Sequence, residues 1–90
     1  MELIRNLKII NELGLHARSA AKIVALAGQF EAMLTLSKDH YEADGKSILS
    51  ILSLACPKGT TITARIAGED AEPFMDELCR LFEEKFGETS

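Results

Sequence analysis

Gly14, His16 and Arg18 have types and spacing that could carry out chemistry together, and a helix-forming, alanine-rich run follows them directly. Apolar residues recur at helical spacing over residues 17–27, so His16 lies where a predicted helix begins. Backbone N–H groups at a helix N-terminus lack partners, and the helix dipole favours negative charge there. The arrangement is therefore suited to holding a phosphoryl group beside a nucleophilic ring nitrogen.

The N-cap of this predicted helix gives a second indication. If the helix begins at Ala17, its N-cap is His16, whereas Ser, Thr, Asp and Asn are the preferred capping residues. A weak cap costs about 1 kcal/mol, which favours another use for the imidazole. A simpler interpretation stays open, because a half-exposed loop histidine beside an ordinary surface arginine would have the same local sequence.

Composition bounds the class of protein. A chain of 90 residues with 47 % hydrophobic residues is expected to form one small domain over residues 1–90, without a deep enclosed active site. A net charge of −4 argues against general nucleic-acid binding. We expect a cytoplasmic protein, because no apolar run reaches the length of about 18 residues needed for a membrane span and the start of the chain has no signal-peptide pattern. Cys56 and Cys79 are predicted to be free thiols, with Cys79 in a helix core.

Periodicity predicts the secondary structure. Alternating apolar residues indicate strands at residues 3–9, 30–36 and 60–66, and a short strand at residues 41–43. Helical spacing indicates helices at residues 17–27, 47–55 and 71–86, with Gly28 ending the first and Asp70 capping the last. The order is β-α-β-β-α-β-α, which predicts an α+β sandwich of one sheet with helices on one face.

The second helix is more apolar than a core position requires. Its apolar arc spans about 220°, whereas a core-facing stripe needs about 100°. One sector holds Ile51, Leu54 and Ala55, and the next sector holds Ile48, Leu49 and Leu52. We predict that this second sector is at least partly exposed and forms a surface for a partner. The alternative is a helix buried nearly all round.

Two other features do not support a site. The sequence Gly45-Lys46-Ser47 matches the end of a P-loop, but His40 stands where that motif needs its first glycine. His40 itself has no Cys or His at ligand spacing, so it is predicted to be a solvated turn residue.

Two blocks of the sequence resemble one known family. Gly14-Leu15-His16-Ala17-Arg18 resembles the active-site signature of HPr, the histidine-containing phosphocarrier of the bacterial phosphoenolpyruvate-dependent phosphotransferase system. Residues 46–54 resemble the regulatory serine and contact helix of that family, and the spacing of the two blocks fits over nearly the full chain. The resemblance implies an open-faced β-sandwich in βαββαβα order, with a four-stranded antiparallel sheet and three helices on one face.

The resemblance also implies roles for particular residues. His16 would accept phosphate on Nδ1 from phosphorylated enzyme I and pass it to an EIIA-type protein, with Arg18 and the amide of Ala17 binding the phosphate. Ser47 would be phosphorylated by an HPr kinase/phosphorylase where one exists, and partners would contact Ile48, Leu49 and Leu52. A monomer without metal or organic cofactor is expected.

The match to the family has departures. Ser19 stands where the family usually has proline, and it is expected to leave the first helical turn less rigid. Ser50 and Ala55 stand where glycine is common, which is expected to alter the choice of partner.

Other functions stay open at this point. The chain could be a regulatory carrier of the nitrogen-related branch, which shares the histidine chemistry. It could also be a plain protein-binding module in which His16 is idle and Ser47 is only a helix cap. An RNA-binding α+β domain is disfavoured by the acidic charge and by Tyr41 being the sole tyrosine, with no aromatic platform.

Overall fold

The four strands form one antiparallel sheet in a computed structural model that describes residues 1–90. Their order across the sheet is β1-β4-β2-β3, and the bounds are β1 Glu2–Lys8, β2 Met33–Lys38, β3 Tyr41–Asp44 and β4 Thr61–Ala67. The helices are α1 Ala17–Ala27, α2 Ile48–Leu52 and α3 Ala71–Glu83, followed by a short 3-10 turn at Lys85–Gly87. The predicted βαββαβα order is confirmed.

Strand alternation explains why the helices cover a single face of the sheet. On the central strand β4, Ile62, Ala64 and Ile66 are fully buried, while the alternate residues Thr61 and Arg65 are exposed. Ile66 pairs with both Leu3 and Leu34, so the apolar side chains of three strands share one face. That face packs against the helices and the other meets solvent, which is the open-faced arrangement predicted. None of the helices is long and apolar enough to cross a membrane.

Helix α2 ends at Leu52, so the prediction that it continues to Ala55 is wrong. The amides of Leu54 and Ala55 donate hydrogen bonds to the carbonyls three residues earlier, whereas an α-helix uses the carbonyls four residues earlier. Ala55 also takes a left-handed φ of 52°. Pro57 keeps the helix from resuming, because proline disfavours helical backbone in the residue before it, Cys56. Ala55 is therefore exposed instead of lining the core. Its backbone conformation is one that glycine adopts without strain, which explains why glycine is common there in the resembled family.

Helix α3 also ends earlier than predicted, at Glu83 instead of Phe86. Lys85 and Phe86 both take left-handed φ values of 57°, which breaks the helix and reverses the chain. Phe86 remains buried, as predicted, and its ring packs edge-on against Phe82 at a centroid distance of 4.9 Å. The break directs Glu88 and the residues after it back toward the start of α1.

The predicted roles of two residues around α3 need correction. Asp70 occupies the N-cap position, but its carboxylate caps the loop after α1 by accepting from the amides of Glu31 and Ala32 at 2.8 and 2.9 Å. Its φ of −98° and ψ of 25° differ from the extended backbone that aims a capping side chain at its own helix. Cys79 is half-buried at the edge of the apolar stripe of α3, so the prediction that it lies in the core is wrong. Phe74, on the same helix, is fully buried in the core. Both cysteines are free, as predicted.

Candidate functional site

His16 is the N-cap of α1, as the sequence predicted, and its backbone is extended with φ of −116° and ψ of −178°. The ring nitrogen Nδ1 accepts a long hydrogen bond of 3.3 Å from the amide of Arg18. Nδ1 therefore stands where a serine or aspartate oxygen would stand, facing the free amides of the first turn. The side chain is 25 % exposed, so the ring is held by the protein yet remains accessible from solvent.

Ser19, which stands where the family usually has proline, is hydrogen-bonded within the first turn. Its buried hydroxyl accepts from the amide of His16 at 2.9 Å. The hydroxyl also lies within donating distance of the carbonyls of Gly14 at 3.2 Å and of His16 at 3.1 Å. A serine hydroxyl has one proton and two lone pairs, so it can donate to one carbonyl while it accepts the amide. Hydrogen bonds thus fix the loop that a proline ring would have stiffened.

Gly14 fixes the position of the histidine from the other side. Its φ is +67°, a conformation that glycine adopts without steric cost. A Cβ there would lie 2.4 Å from the carbonyl oxygen of Cys56 and 2.8 Å from Cα of Pro57. The amide of Leu15 donates to the same Cys56 carbonyl at 2.9 Å. Only glycine lets this loop lie flat against the segment that follows α2.

Two residues that the sequence analysis missed complete the surroundings of the ring. Nε2 of His16 lies 2.6 Å from Oε2 of Glu88, near the end of the chain. The other oxygen of Glu88 accepts from Nδ2 of Asn11 at 2.9 Å, and the same nitrogen donates to the carbonyl of Gly14 at 2.8 Å. Asn11 is fully buried, so it joins the tail to the histidine loop from inside the fold.

The Glu88 carboxylate is favoured in its ionised form. Burial opposes ionisation, but hydrogen bonds from Asn11 and His16, together with the charge of Arg18, outweigh it and lower the pKa of Glu88. The carboxylate therefore faces the imidazole as an acceptor at neutral pH.

The cations of the site lie on the first turns of α1. Arg18 and Lys22 line an open depression together with the tail residues Glu88 to Ser90, and Lys22 donates to the carbonyl of Phe86. Ala17 and Arg18 are exposed, so their amides and the guanidinium are accessible to a ligand at the ring. One exposed guanidinium beside the amides of a helix N-terminus suits an anion that must be held and then released.

The second predicted site lies at the start of α2. Ser47 is its N-cap, and its hydroxyl oxygen accepts from the amide of Ser50 at 3.2 Å. Of the predicted partner surface, Leu49 is 81 % exposed, Ile48 is 38 % exposed and Leu52 is half-buried. The exposure predicted for these three residues is confirmed, and the alternative of a helix buried all round is wrong. We call Ile48, Leu49 and Leu52 the apolar patch.

Known proteins match this chain over nearly its whole length. A family profile described as "PTS HPr component phosphorylation site" matches residues 4–84. The chain is 42 % identical over 84 residues to the phosphocarrier protein HPr of Cupriavidus necator, covering 93 % of this chain and 94 % of that protein. It is 40 % identical over 89 residues to the phosphocarrier protein NPr of Shewanella violacea, with coverage of 99 % and 98 %. The crystal structure of HPr-C-His from Thermoanaerobacter tengcongensis is similar with a TM-score of 0.93 and 35 % identity, covering 98 % of this chain and 99 % of that chain.

An open-faced sandwich with a histidine at the N-terminus of its first helix is the architecture of a phosphocarrier. The family profile and the similar crystal structure support this class. The chain belongs to the HPr family of the phosphotransferase system. The resemblance stated from the sequence is confirmed, as is the fold that it implied.

Proposed function

We propose that this chain accepts a phosphoryl group from phosphorylated enzyme I on Nδ1 of His16 and passes it to an EIIA-type protein. The observation that carries the proposal is the position of Nδ1, which caps the N-terminus of α1 through a long hydrogen bond of 3.3 Å from the amide of Arg18. A ring nitrogen with an available lone pair is a good nucleophile near neutral pH. The resemblance assigns the same atom.

The transfer itself requires little chemistry from this chain beyond positioning. The Nδ1–P bond forms as the bond between phosphorus and the donor protein's histidine breaks, with the two nitrogens in line. The amides of Ala17 and Arg18 and the Arg18 guanidinium stabilise the charge on the phosphoryl oxygens. Because this hold is moderate, the group can leave again for the next carrier.

The apolar patch would hold the partner in register for that transfer. Ile48, Leu49 and Leu52 lie on α2, and α2 packs against α1, whose N-terminus carries His16. An apolar contact of this kind fixes where the donor nitrogen stands relative to Nδ1. The same surface would serve enzyme I and the acceptor in turn, since the two cannot occupy it together.

An intact-mass experiment tests the function. The chain is incubated with phosphoenolpyruvate and enzyme I, and its mass is measured before and after treatment with acid. The proposal requires a gain of one phosphoryl group that acid removes, because a phosphorus–nitrogen bond is acid-labile and a phosphoserine is not. No gain, or a gain that survives acid, contradicts it.

Ser47 is proposed as a regulatory phosphorylation site for an HPr kinase/phosphorylase, with its effect exerted on docking. A phosphate would add about −1.5 to −2 charges beside the apolar patch, at a helix N-terminus that tolerates negative charge. We expect Ser47→Asp to weaken binding to enzyme I about tenfold while the domain stays folded, because aspartate is an equally good N-cap. Calorimetric titration with enzyme I measures the affinity, and thermal unfolding checks the fold.

A matched control separates local charge from total charge. Thr61 is exposed on the open face of the sheet, so Thr61→Asp adds the same charge away from α2. It should bind enzyme I as the unmodified chain does. If Ser47→Asp binds equally well, Ser47 is only a helix cap and the regulatory role is wrong.

A carrier of the nitrogen-related branch is the second candidate, favoured by the 40 % identity to the NPr of Shewanella violacea. Both candidates use the same histidine, so the acceptor distinguishes them. Offering the phosphorylated chain EIIA proteins of the sugar and nitrogen branches in competition will show which one takes the phosphoryl group faster.

A further inference from the structure

We propose that Glu88 is a positioning residue for His16: its carboxylate accepts the Nε2 proton and so leaves the ring's lone pair on Nδ1. The inference rests on the proposed function, because it concerns the atom that would receive the phosphoryl group. It is carried by the contact of 2.6 Å between Nε2 and Oε2 of Glu88, on the side of the ring opposite the helix amides.

A neutral imidazole has one protonated and one unprotonated nitrogen, and a hydrogen-bonded neighbour selects between them. An ionised carboxylate can only accept, so the nitrogen that it contacts must carry the proton. The amide of Arg18 can only donate, so the nitrogen that it contacts must be the unprotonated one. The two neighbours of His16 therefore select the same tautomer from opposite sides of the ring.

The tail of the chain holds the carboxylate in place. Nδ2 of Asn11 fixes the second carboxylate oxygen, the amide of Glu12 donates to the carbonyl of Ser90 at 2.9 Å, and Lys22 donates to the carbonyl of Phe86. Phe86 itself is buried, so the tail is anchored on both sides of Glu88. Consistent with this, the Glu88 side chain is only 13 % exposed.

The same contact matters after transfer. When Nδ1 bonds to phosphorus, the donor's P–N bond breaks and its electron pair stays on the donor nitrogen, while the Nε2 proton of His16 remains in place. The ring then carries a positive charge, which the Glu88 carboxylate neutralises. On release the electron pair of the P–Nδ1 bond returns to Nδ1 and the ring is neutral again. No proton has to enter or leave in either direction, so the Glu88 contact can hold the Nε2 proton through both receipt and release.

The experiment compares Glu88→Gln with a control, Glu84→Gln. The control also removes one carboxylate, but from an exposed position just after α3. The tautomer of His16 is measured by nitrogen-15 NMR of the unphosphorylated ring, and transfer is measured as initial rates against enzyme I concentration. We expect the wild type and Glu84→Gln to hold the Nε2-protonated tautomer. Glu88→Gln should show a mixture of tautomers and a kcat lowered about tenfold, with KM unchanged because the apolar patch is intact.

The outcomes separate this inference from the function on which it rests. A wild-type chain that enzyme I does not phosphorylate refutes the function, whatever the tautomer. A wild-type ring protonated on Nδ1 refutes the role of Glu88 without any variant, which keeps the test decisive if Glu88→Gln fails to fold. The role of Glu88 is also overturned if enzyme I phosphorylates the wild type normally and folded Glu88→Gln keeps the wild-type tautomer. It is likewise overturned if folded Glu88→Gln keeps the wild-type kcat.

Discussion

His16→Ala is expected to lose phosphoryl acceptance from enzyme I completely, to the background of the assay. The reason is positional: the only other histidine, His40, lies in an exposed turn away from the free amides of α1. No second ring nitrogen can replace Nδ1 at the mouth of this helix. The measurement is incorporation of labelled phosphate from phosphoenolpyruvate over time, with the protein's fold verified by circular dichroism.

The fold should survive this substitution, because the cap that Nδ1 provides is worth about 1 kcal/mol. The matched control is His40→Ala, which removes the same side chain and should be phosphorylated at the wild-type rate. Acid-labile phosphate on folded His16→Ala would refute the assignment of His16. A phosphate-free His16→Ala chain that retains its full biological effect would favour the protein-binding module, in which the histidine is idle.

Gly14→Ala is expected to destabilise the domain by about 2–5 kcal/mol, a large part of the stability of a small domain. About 1–2 kcal/mol comes from forcing a left-handed φ of +67° on a residue with a Cβ. The remainder, about 1–3 kcal/mol, comes from overlap with backbone atoms, since the new Cβ would lie 2.4 Å from the Cys56 carbonyl oxygen. The overlap can be relieved only if the loop that carries His16 moves away from the Cys56–Pro57 backbone. His16 should therefore shift, and phosphoryl transfer should slow. Urea unfolding gives the loss of stability.

Gly59 provides the control for this prediction. Its φ is +93°, but a Cβ there would meet no atom within 4 Å. Gly59→Ala therefore carries the conformational strain of about 1–2 kcal/mol without the overlap. If Gly14→Ala is no less stable than Gly59→Ala, the contact between the histidine loop and the Cys56–Pro57 backbone is not what positions the site.

The part of the site that the sequence predicted is the part built from neighbours in the chain. The helix at residues 17–27 follows from local apolar spacing, and the N-cap at His16 follows from that start even though histidine is not a preferred cap; both are confirmed. The apolar patch was predictable because α2 has more apolar surface than one sheet can cover. Signals of this kind depend on residues within a few positions of one another, and the fold preserves them.

The part that the sequence did not reveal depends on distant contacts. Glu88 lies 72 residues from His16 along the chain, and it reaches the ring because Lys85 and Phe86 leave the helical conformation. Neither residue is glycine, and the local stop signal, Gly87, comes only after them, so the sequence places the end of the helix too late. Asp70 was misassigned for a related reason, since the amides that donate to its carboxylate lie in a loop nearly forty residues earlier. A polar residue at a helix start indicates a cap, but tertiary neighbours decide which amides it binds.

The most direct test of the account is to locate the phosphorus atom. The chain is labelled with nitrogen-15 in its histidines, phosphorylated by enzyme I, and examined by NMR for the ring nitrogen of His16 that is coupled to phosphorus. The account predicts coupling to Nδ1, with the proton retained on Nε2. Phosphorus on Nε2, on His40 or on an oxygen would contradict it, because the free amides of α1 would then have no part in the transfer.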